Sequence, residues 1–191
     1  MAARDPAPSE VAETGLPDAE ARPVMQAQVV LERLGFASGV INGEEGVSFA
    51  NALKGFQEAR DLPVTGVLDQ ATRTALSQWE NIPATRIVTI PREWAGEQFG
   101  PLPDDMAAKA QLARLGYEDM AEKLAERFHT NPAVLAALNP GGKPAGAGGT
   151  ASVTITSVAP AAKPQFGPGQ RLRVPNVGAD TIEPGTIDNK E

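Results

Sequence analysis

The chain has 191 residues, no cysteine, one histidine, and 24 acidic against 17 basic residues. The net charge of −7 and the lack of clustered Lys and Arg argue against binding to nucleic-acid phosphates. The composition also excludes disulfides and thiolate catalysis, and no apolar run approaches the roughly 18 residues of a membrane span.

Residues 1–22 are predicted to be a disordered leader. They are rich in Ala, Pro and acidic residues and lack the apolar segment of a signal peptide. We therefore expect that the protein either stays in the cytoplasm or begins here after removal of a signal.

Three short helices joined by loops that contain glycine are predicted over residues 23–80. In the first helix the apolar residues recur at helical spacing, and Gly35 is placed to end it in a left-handed cap. Asn42-Gly43 predicts a turn, and Ser48 is expected to cap the second helix. Asp69 is expected to cap the third helix.

The second helix supplies the predicted core of this segment. Phe49, Leu53 and Phe56 lie on one stripe with Ala52, and the stretch Leu62–Gly66 breaks the helix. Three helices packed around these side chains make a small core, which is the size that about 55 residues can support.

This segment resembles the peptidoglycan-binding domain that bacteria attach to cell-wall enzymes. The matching motifs are, in chain order, Val29–Gly35, Asn42-Gly43, Ala52–Gln57 with its Phe-Gln pair, Leu62–Gly66, and Asp69–Leu76 with Thr72. Asn42 replaces the usual Asp, Glu45-Gly46 stands where Phe-Gly is frequent, and Ser48 replaces a Thr. The resemblance implies a three-helix fold that binds peptidoglycan.

Residues 81–109 are predicted to be a linker that contains a strand at 86–91. This strand is expected to pack one module against the other, or against another molecule. Trp94 and Phe99 are candidates for stacking on sugars, although plugging an interface under a loop is the alternative for each.

A second resemblance covers residues 110–177. Met120, Leu124 and Phe128 form one helical stripe, and a second helix is expected to be capped by Asn131 with Pro132 at its first position. A strand follows in which Leu172 and Val174 alternate with Arg171 and Arg173, as in a half-buried strand. These helices, the Asn139-Pro140-Gly141 stop and the closing strand resemble a LysM module, which implies a βααβ fold that binds glycans.

The LysM-like segment departs from the family pattern in two places. Its opening strand and Gly-Asp-Thr-Leu turn are replaced by the sequence LARLGYEDM, and residues 142–165 form an insertion rich in Gly, Pro and Ala. Within the insertion, Val153, Ile155 and Val158 predict either a short strand or part of a flexible loop. Residues 178–191 are expected to be a flexible tail. The fold class is therefore mainly α with small β elements, flanked by disordered segments.

Catalysis is not predicted for this chain. Serine and zinc chemistry need histidine, and His129 follows a helix at a position typical of an exposed cap. The pairs Glu44-Glu45 and Asp104-Asp105 lie in polar loops rather than apolar pockets, and the spacing of a calcium loop is missing near Asn42. Neither a metal nor a cofactor is expected.

The order of the parts resembles the non-catalytic N-terminal region of L,D-transpeptidases of Gram-negative bacteria. It implies a targeting role in the periplasm or at the cell wall, and a catalytic domain beyond Glu191 as a possible partner. The alternatives are a pair of protein-interaction or autoregulatory domains, and an enzyme of unrecognised type that uses carboxylates. The cheapest discriminating observation is whether the reading frame continues into a His and Ser-His-Gly-Cys segment.

Peptidoglycan offers hydroxyls, N-acetyl groups and peptide amides, which neutral donors and aromatic edges bind well. In the first module the candidate ligand-binding residues are Asn42, Gly43, Gln57, Arg60 and Thr65. In the second, the groove that the LysM resemblance implies points to Tyr117, Glu118, Asp119, Asn139 and Pro140. A turn role for Asn42, Gly43 and Thr65, and a core position for Tyr117, are the alternatives.

Overall fold

The computed structural model describes residue 18 and residues 20–112, 115–145 and 164–178. The predictions for the leader before residue 18, for the strand around Val153 and for the tail beyond residue 178 lie outside the described residues. The described part is mainly helical with one small sheet, which confirms the predicted fold class. Its elements are α1 (Pro23–Arg33), α2 (Val47–Ala59), α3 (Gln70–Leu76), β1 (Thr85–Thr89), α4 (Met106–Ala110), α5 (Met120–Arg127), α6 (Pro132–Leu138) and β2 (Arg171–Pro175).

The first three helices form the predicted core. Phe49, Leu53 and Phe56 are buried together with Leu31 of α1. Gly35 follows α1 with a φ of 87°, which confirms the left-handed cap. Asp69 accepts a hydrogen bond from the backbone N–H of Thr72 at 2.9 Å, and this confirms the predicted cap of α3.

The predicted cap of α2 was wrong. The helix begins at Val47 with Gly46 at the N-cap position, and no side chain caps it. Ser48 lies inside the first turn, where its hydroxyl is past the position from which a cap can accept from the second or third N–H group.

The strand predicted between the two modules belongs to the sheet. β1 pairs antiparallel with β2, so that Thr85 lies opposite Pro175 and Thr89 opposite Arg171. Helices α5 and α6 pack on this sheet, and their apolar side chains share one core with both strands: Val88, Leu124, Phe128, Leu135, Leu138, Leu172 and Val174. β1, which was expected to belong to the linker, therefore pairs with the closing strand β2, and α5 and α6 lie between these two strands in the chain.

Arg173 does not face solvent as the alternating pattern of β2 predicted. Its exposed fraction is 1%, because groups remote in sequence surround it. Its guanidinium donates to the carbonyl of Ala145 and to the Thr85 hydroxyl, each at 3.0 Å, and lies 3.9 Å from the Asp18 carboxylate. Burial lowers the pKa of Arg173, while the charge of Asp18 opposes that change.

The three-helix segment and the sheet share a buried contact. Met25, Val29 and Ile41 belong to the same core cluster as the side chains of α5, α6 and the sheet. The N–H of Ile41 donates to the carbonyl of His129 at 2.7 Å, and the Thr130 hydroxyl donates to the carbonyl of Ile41 at 2.7 Å. The junction is therefore closed by apolar packing and by main-chain hydrogen bonds.

Arg33 adds a polar contact at the same junction. Its guanidinium donates to the carbonyl and to the side-chain oxygen of Asn176, at 2.8 and 2.7 Å. Asn176 in turn bonds the chain just before β1, through the carbonyls of Pro83 and Ala84.

In the part of the chain that the structure describes, no helix is long and apolar enough to cross a membrane.

We expect Asp18→Asn to lower the free energy of unfolding at neutral pH. We also expect that free energy to change less with acidification in the variant than in the native chain. Partial burial raises the pKa of Asp18, but the hydrogen bonds from Thr85, Glu20 and Arg22 outweigh that effect and hold the pKa below its ordinary value. The ionised carboxylate therefore contributes stability above the unfolded pKa of about 3.9, and this contribution is lost as the pH falls through the folded pKa.

The free energy of unfolding in urea, measured between about pH 6 and about pH 2, checks this prediction. The native chain should lose more stability on acidification than Asp18→Asn. Glu45→Gln, which removes an exposed carboxylate far from Asp18 in the sequence, serves as the matched control. Equal losses in the native chain and in Asp18→Asn would contradict the prediction.

Candidate functional site

A buried glutamine holds the turn between α2 and α3. Gln57 has no exposed surface, and its Oε1 accepts from the backbone N–H groups of Thr65 and Gly66 at 2.9 and 2.8 Å. Its Nε2 donates to the hydroxyls of Thr65 and Thr72 and to the carbonyl of Val67, at 2.8 to 3.0 Å. Gly66 takes a φ of 69°, which glycine adopts without strain. The side chain of Gln57 is thus fully used in shaping the turn.

A second buried glutamine holds the turn between α1 and α2 in the same way. The Oε1 of Gln28 accepts from the N–H groups of Asn42 and Gly43 at 3.2 and 2.8 Å. Its Nε2 donates to the Asn42 side chain and to the carbonyl of Glu44, at 3.2 and 3.1 Å. Gly43 has a φ of 79°, and the N-cap position of the next helix, Gly46, comes three residues later, just as Asp69 comes three residues after Gly66.

The three-helix segment is therefore built from two equivalent helix–turn units. Gln28 was not predicted as a turn residue from the sequence. The two units differ in the distance from Gln to Gly, and the local signal that they share is a polar residue before Gly with a helix N-cap position three residues after that Gly. Both glutamines satisfy inward-facing main-chain groups, so their direct role is to hold the turns.

The outward side chains of the turns are partly engaged. Asn42 accepts from the N–H of Glu44 at 2.9 Å and donates to the Glu44 carboxylate at 3.1 Å. Thr65 is exposed, and its hydroxyl donates to Asp69 at 3.0 Å. Hydrogen bonds from the backbone and hydroxyl of Thr72 and from Thr65 lower the pKa of Asp69. Asn42, Gly43 and Thr65 all act as turn residues, and Thr65 also remains accessible.

Arg60 lies beside an aromatic surface at the end of α2. Its guanidinium carbon is 5.1 Å from the centre of the Trp79 ring and 5.6 Å from that of Phe56. Arg60 is exposed and Trp79 is half-buried, so the cation covers one part of the ring and meets solvent elsewhere. This pair could bind an anionic or hydrogen-bonding group.

A cleft of about 370 Å³ lies beside the sheet. Its walls come from the 3-10 turn Arg92–Gly96 and the residues after it, from the start of α5, and from the loop before β2. The lining residues are Trp94, Ala95, Glu97, Phe99, Asp119, Met120, Gln165, Phe166 and Pro168. Aromatic rings combined with a few polar groups are typical of small-ligand and sugar sites.

Lys123 fixes one wall of this cleft. Its ammonium lies 3.8 Å from the centre of the Trp94 ring and forms an ion pair with Glu97. Tyr117 is also near the ammonium, at 5.8 Å from its ring centre. Trp94 lines the cleft but is only 9% exposed, as expected for a side chain that fills an interface. Phe99 and Phe166 also line the cleft and are half-buried.

The structure brings only some of the candidates of the second part to the cleft. Asp119 lines it and also caps α5, accepting from the N–H of Glu122 at 2.8 Å. Glu118 is exposed just before that cap, and Tyr117 is half-buried. Pro140 is half-buried where the chain leaves α6.

Asn139 lies inside the protein rather than in a groove. It is 2% exposed, accepts from the N–H of Arg173 at 2.7 Å, and donates to the carbonyls of Arg173 and Leu135 at 2.8 Å. These bonds tie the end of α6 to β2. Phe166, by contrast, was missed as a candidate because it lies at the end of the low-complexity insertion.

His129 lies at the junction of the two parts. It has a φ of 51°, and its side chain is 46% exposed. Its Nδ1 is 2.9 Å from the Glu32 carboxylate on α1. Its backbone N–H bonds the carbonyl of Glu126 at the end of α5, and its own carbonyl accepts from Ile41.

We expect Gln57→Leu to destabilise the protein by about 2 to 4 kcal/mol, because two buried N–H groups lose their acceptor. Gln28→Leu should have a comparable effect, since it removes the acceptor of the equivalent turn. Exposed Gln70→Leu is the matched control and should stay within about 0.5 kcal/mol of the native chain. Urea denaturation measures all three, and a loss for Gln57→Leu no larger than that of the control would contradict this role.

Comparison with protein families adds one finding. Residues 20–76 match the model of a family described as a putative peptidoglycan-binding domain. The matched stretch spans α1 to α3 and both glutamine-held turns. Among curated proteins, none matches the chain significantly.

Proposed function

We propose that this protein binds peptidoglycan without modifying it, through the three-helix segment. The observation that carries the proposal is the match of residues 20–76 to a family described as peptidoglycan-binding. The fold supports it, because the matched stretch forms a complete small core with two built turns. We infer a role in targeting a cell-wall remodelling protein, in the periplasm or at the cell wall.

The surface of the first part suits such a ligand. Thr65 is an exposed residue whose hydroxyl is held by Gln57 and Asp69, and Asn42 is half-buried with its amide held by Gln28 and Glu44, while Arg60 with Trp79 offers a cation over an aromatic ring. Sugars and peptide amides are bound by such neutral donors and ring edges rather than by dense charge.

We further propose that the second part is a LysM-like module that binds the glycan. Strands β1 and β2 pair antiparallel and have α5 and α6 between them, with the short α4 before α5, and this arrangement supports the βααβ assignment. The opening strand then lies at Thr85–Thr89, and a long insertion separates it from α5. The cleft with Phe99, Asp119 and Phe166 would be the glycan groove, so the module would extend to residues before 110.

The order of the two parts favours an origin in an L,D-transpeptidase-type protein, in which a separate catalytic domain would be the partner. The parent reading frame should then contain a His and a Ser-His-Gly-Cys segment. Two wall-binding parts on one chain would add avidity if both engage the polymer together.

A second candidate function is docking of another protein. Met106, Leu112 and Leu115 are 75, 41 and 64% exposed, and they lie within ten residues of one another in the sequence at and after α4. If they form one contiguous apolar patch, that patch would be of the kind that marks protein interaction sites. Such a surface would position a partner enzyme or an adjacent domain.

Cosedimentation with protein-free sacculi tests the main proposal. We expect the full chain to be retained, and free muropeptides to compete. Arg60→Ala should weaken retention by about threefold to tenfold, because a hydrogen-bonding cation is worth about 1 kcal/mol at an exposed site. Arg73→Ala, on the exposed face of α3, is the matched control. Absence of retention would refute the wall-binding role and favour protein docking.

Phe166→Ala tests the glycan groove separately. Removal of a half-buried ring from the cleft should reduce affinity for oligomers of N-acetylglucosamine by about fivefold, as stacking is worth about 1 kcal/mol. Calorimetric titration of the full chain measures the affinity, with Phe36→Leu in the three-helix part as control. Equal affinities in the native chain and in Phe166→Ala would contradict a role for this cleft.

A further inference from the structure

The two helix–turn units can be superposed in sequence by matching Gln28 with Gln57 and Gly43 with Gly66. Residues at the same distance from these reference positions are then equivalent. Met25 lies three residues before Gln28 on α1, and Lys54 lies three residues before Gln57 on α2. A Cβ on Gly43 would meet the side chain of Met25 at 3.7 Å, and one on Gly66 would meet that of Lys54 at 2.8 Å. Both side chains thus cover the glycine of their own turn.

By the same correspondence Val29 is equivalent to Glu58, since each is one residue after its glutamine. It also pairs Ile41 with Val64, two residues before each glycine. The first unit therefore presents Met25, Val29 and Ile41 on the surface where the second presents Lys54, Glu58 and Val64.

In the first unit this surface is occupied by the protein itself. Met25, Val29 and Ile41 are at most 3% exposed, because α5, α6 and the sheet cover them. The backbone of Ile41 bonds the segment after α5: its N–H donates to the main-chain carbonyl of His129, and its carbonyl accepts from the Thr130 side-chain hydroxyl, both at 2.7 Å. The N–H and C=O of Ile41 are thus both used to hold a neighbouring stretch of chain.

In the second unit the equivalent surface is open. Lys54 and Glu58 are exposed, and Val64 and Val67 are 54 and 55% exposed. Within the described part of the chain, the N–H and C=O of Val64 form no hydrogen bond, and Lys54 and Glu58 form no ion pair. The main-chain groups that bind a peptide in the first unit are therefore available in the second.

We propose that Lys54, Glu58, Val64 and Val67 form a binding surface for a short peptide that carries both a carboxylate and an amine. The backbone of Val64 would pair with the main chain of the peptide, as Ile41 pairs with the segment after α5. Lys54 and Glu58 lie four residues apart on one helix face, where they can meet opposite charges on the ligand. A glycan of N-acetylated sugars carries no amine, so it would leave Glu58 without an opposite charge.

This inference rests on the proposed function only for the source of the peptide, which would be the stem peptide of peptidoglycan. It assigns the stem peptide to α2 and its turn, and leaves the glycan to the cleft beside the sheet. Two chemically different components of one polymer would then be bound by two different parts of the chain.

Titration of the full chain, followed by amide chemical shifts, tests the assignment. One probe is the mixture of stem peptides that an amidase releases from sacculi, and the other is a neutral glycan, an oligomer of N-acetylglucosamine. We expect the peptides to cause saturable shifts at Val64, Gly66 and Val67, and the glycan to leave these amides unchanged.

Two variants sharpen the test. Val64→Asp should weaken peptide binding at least about fivefold, because it removes apolar contact beside the main-chain pair, whereas Val47→Asp, at an 81% exposed valine, should bind normally. Lys54→Met installs the residue of the equivalent position and should weaken binding about threefold, since one exposed ion pair is lost.

The outcomes separate the inference from the proposed function. If intact sacculi retain the chain but stem peptides cause no shift at Val64, or the glycan shifts it equally, the peptide assignment is wrong and wall binding stands. If stem peptides bind at Val64 while sacculi do not retain the chain, the peptide surface is supported and the wall-binding role is refuted.

Discussion

The structure of the first part depends on the need to satisfy main-chain N–H groups that face inward at a tight turn. A buried N–H without an acceptor costs as much as a large part of a small domain's stability. Gln57 meets this need from α2, since its amide supplies an acceptor for two N–H groups and a donor for a carbonyl and two hydroxyls. The Gln57 amide holds the backbone of the turn, and the exposed side chains of the turn are therefore held in one position as well.

The same solution is used twice and leads to two different surfaces. In the first unit the side chains around the turn are apolar, so this face is buried against α5, α6 and the sheet. In the second unit the equivalent positions carry Lys54 and Glu58, whose desolvation would be costly, so this face stays in water. The backbone pattern is common to both, and the side chains decide whether it serves folding or remains free for a ligand.

The helices could largely be predicted from the sequence. Their apolar spacing, the glycine after α1 and the Asp at the start of α3 are local signals, and local signals fix local structure. The misassigned cap at Ser48 is a local error too, because Gly46 takes the extended backbone that precedes the helix and needs no side-chain acceptor.

Long-range features were not predictable in the same way. Burial of Arg173 depends on Asp18, Thr85 and Ala145, which approach it only after the chain has folded. The pairing of β1 with β2 likewise joins segments on either side of two helices, and an alternating pattern identifies a strand without identifying its partner. Of the candidate site residues, Gln57 and Asn139 are buried inside the protein. Their amide side chains were predicted to bind a ligand, but an amide is equally able to form hydrogen bonds with the protein backbone.

The junction between the two parts has a consequence for binding. Flexible linkers let two sites search independently, and their joint affinity then depends weakly on spacing. Here Ile41 is buried, its backbone bonds the residues after α5, and Arg33 bonds Asn176 beyond β2, so the sites are joined through packed contacts instead. If both parts bind the polymer as proposed, joint binding would require that the polymer present its peptide and its glycan at the spacing that these contacts impose. The gain in affinity would be large where the spacing matches and absent where it does not, so the buried junction would make binding depend on the architecture of the wall.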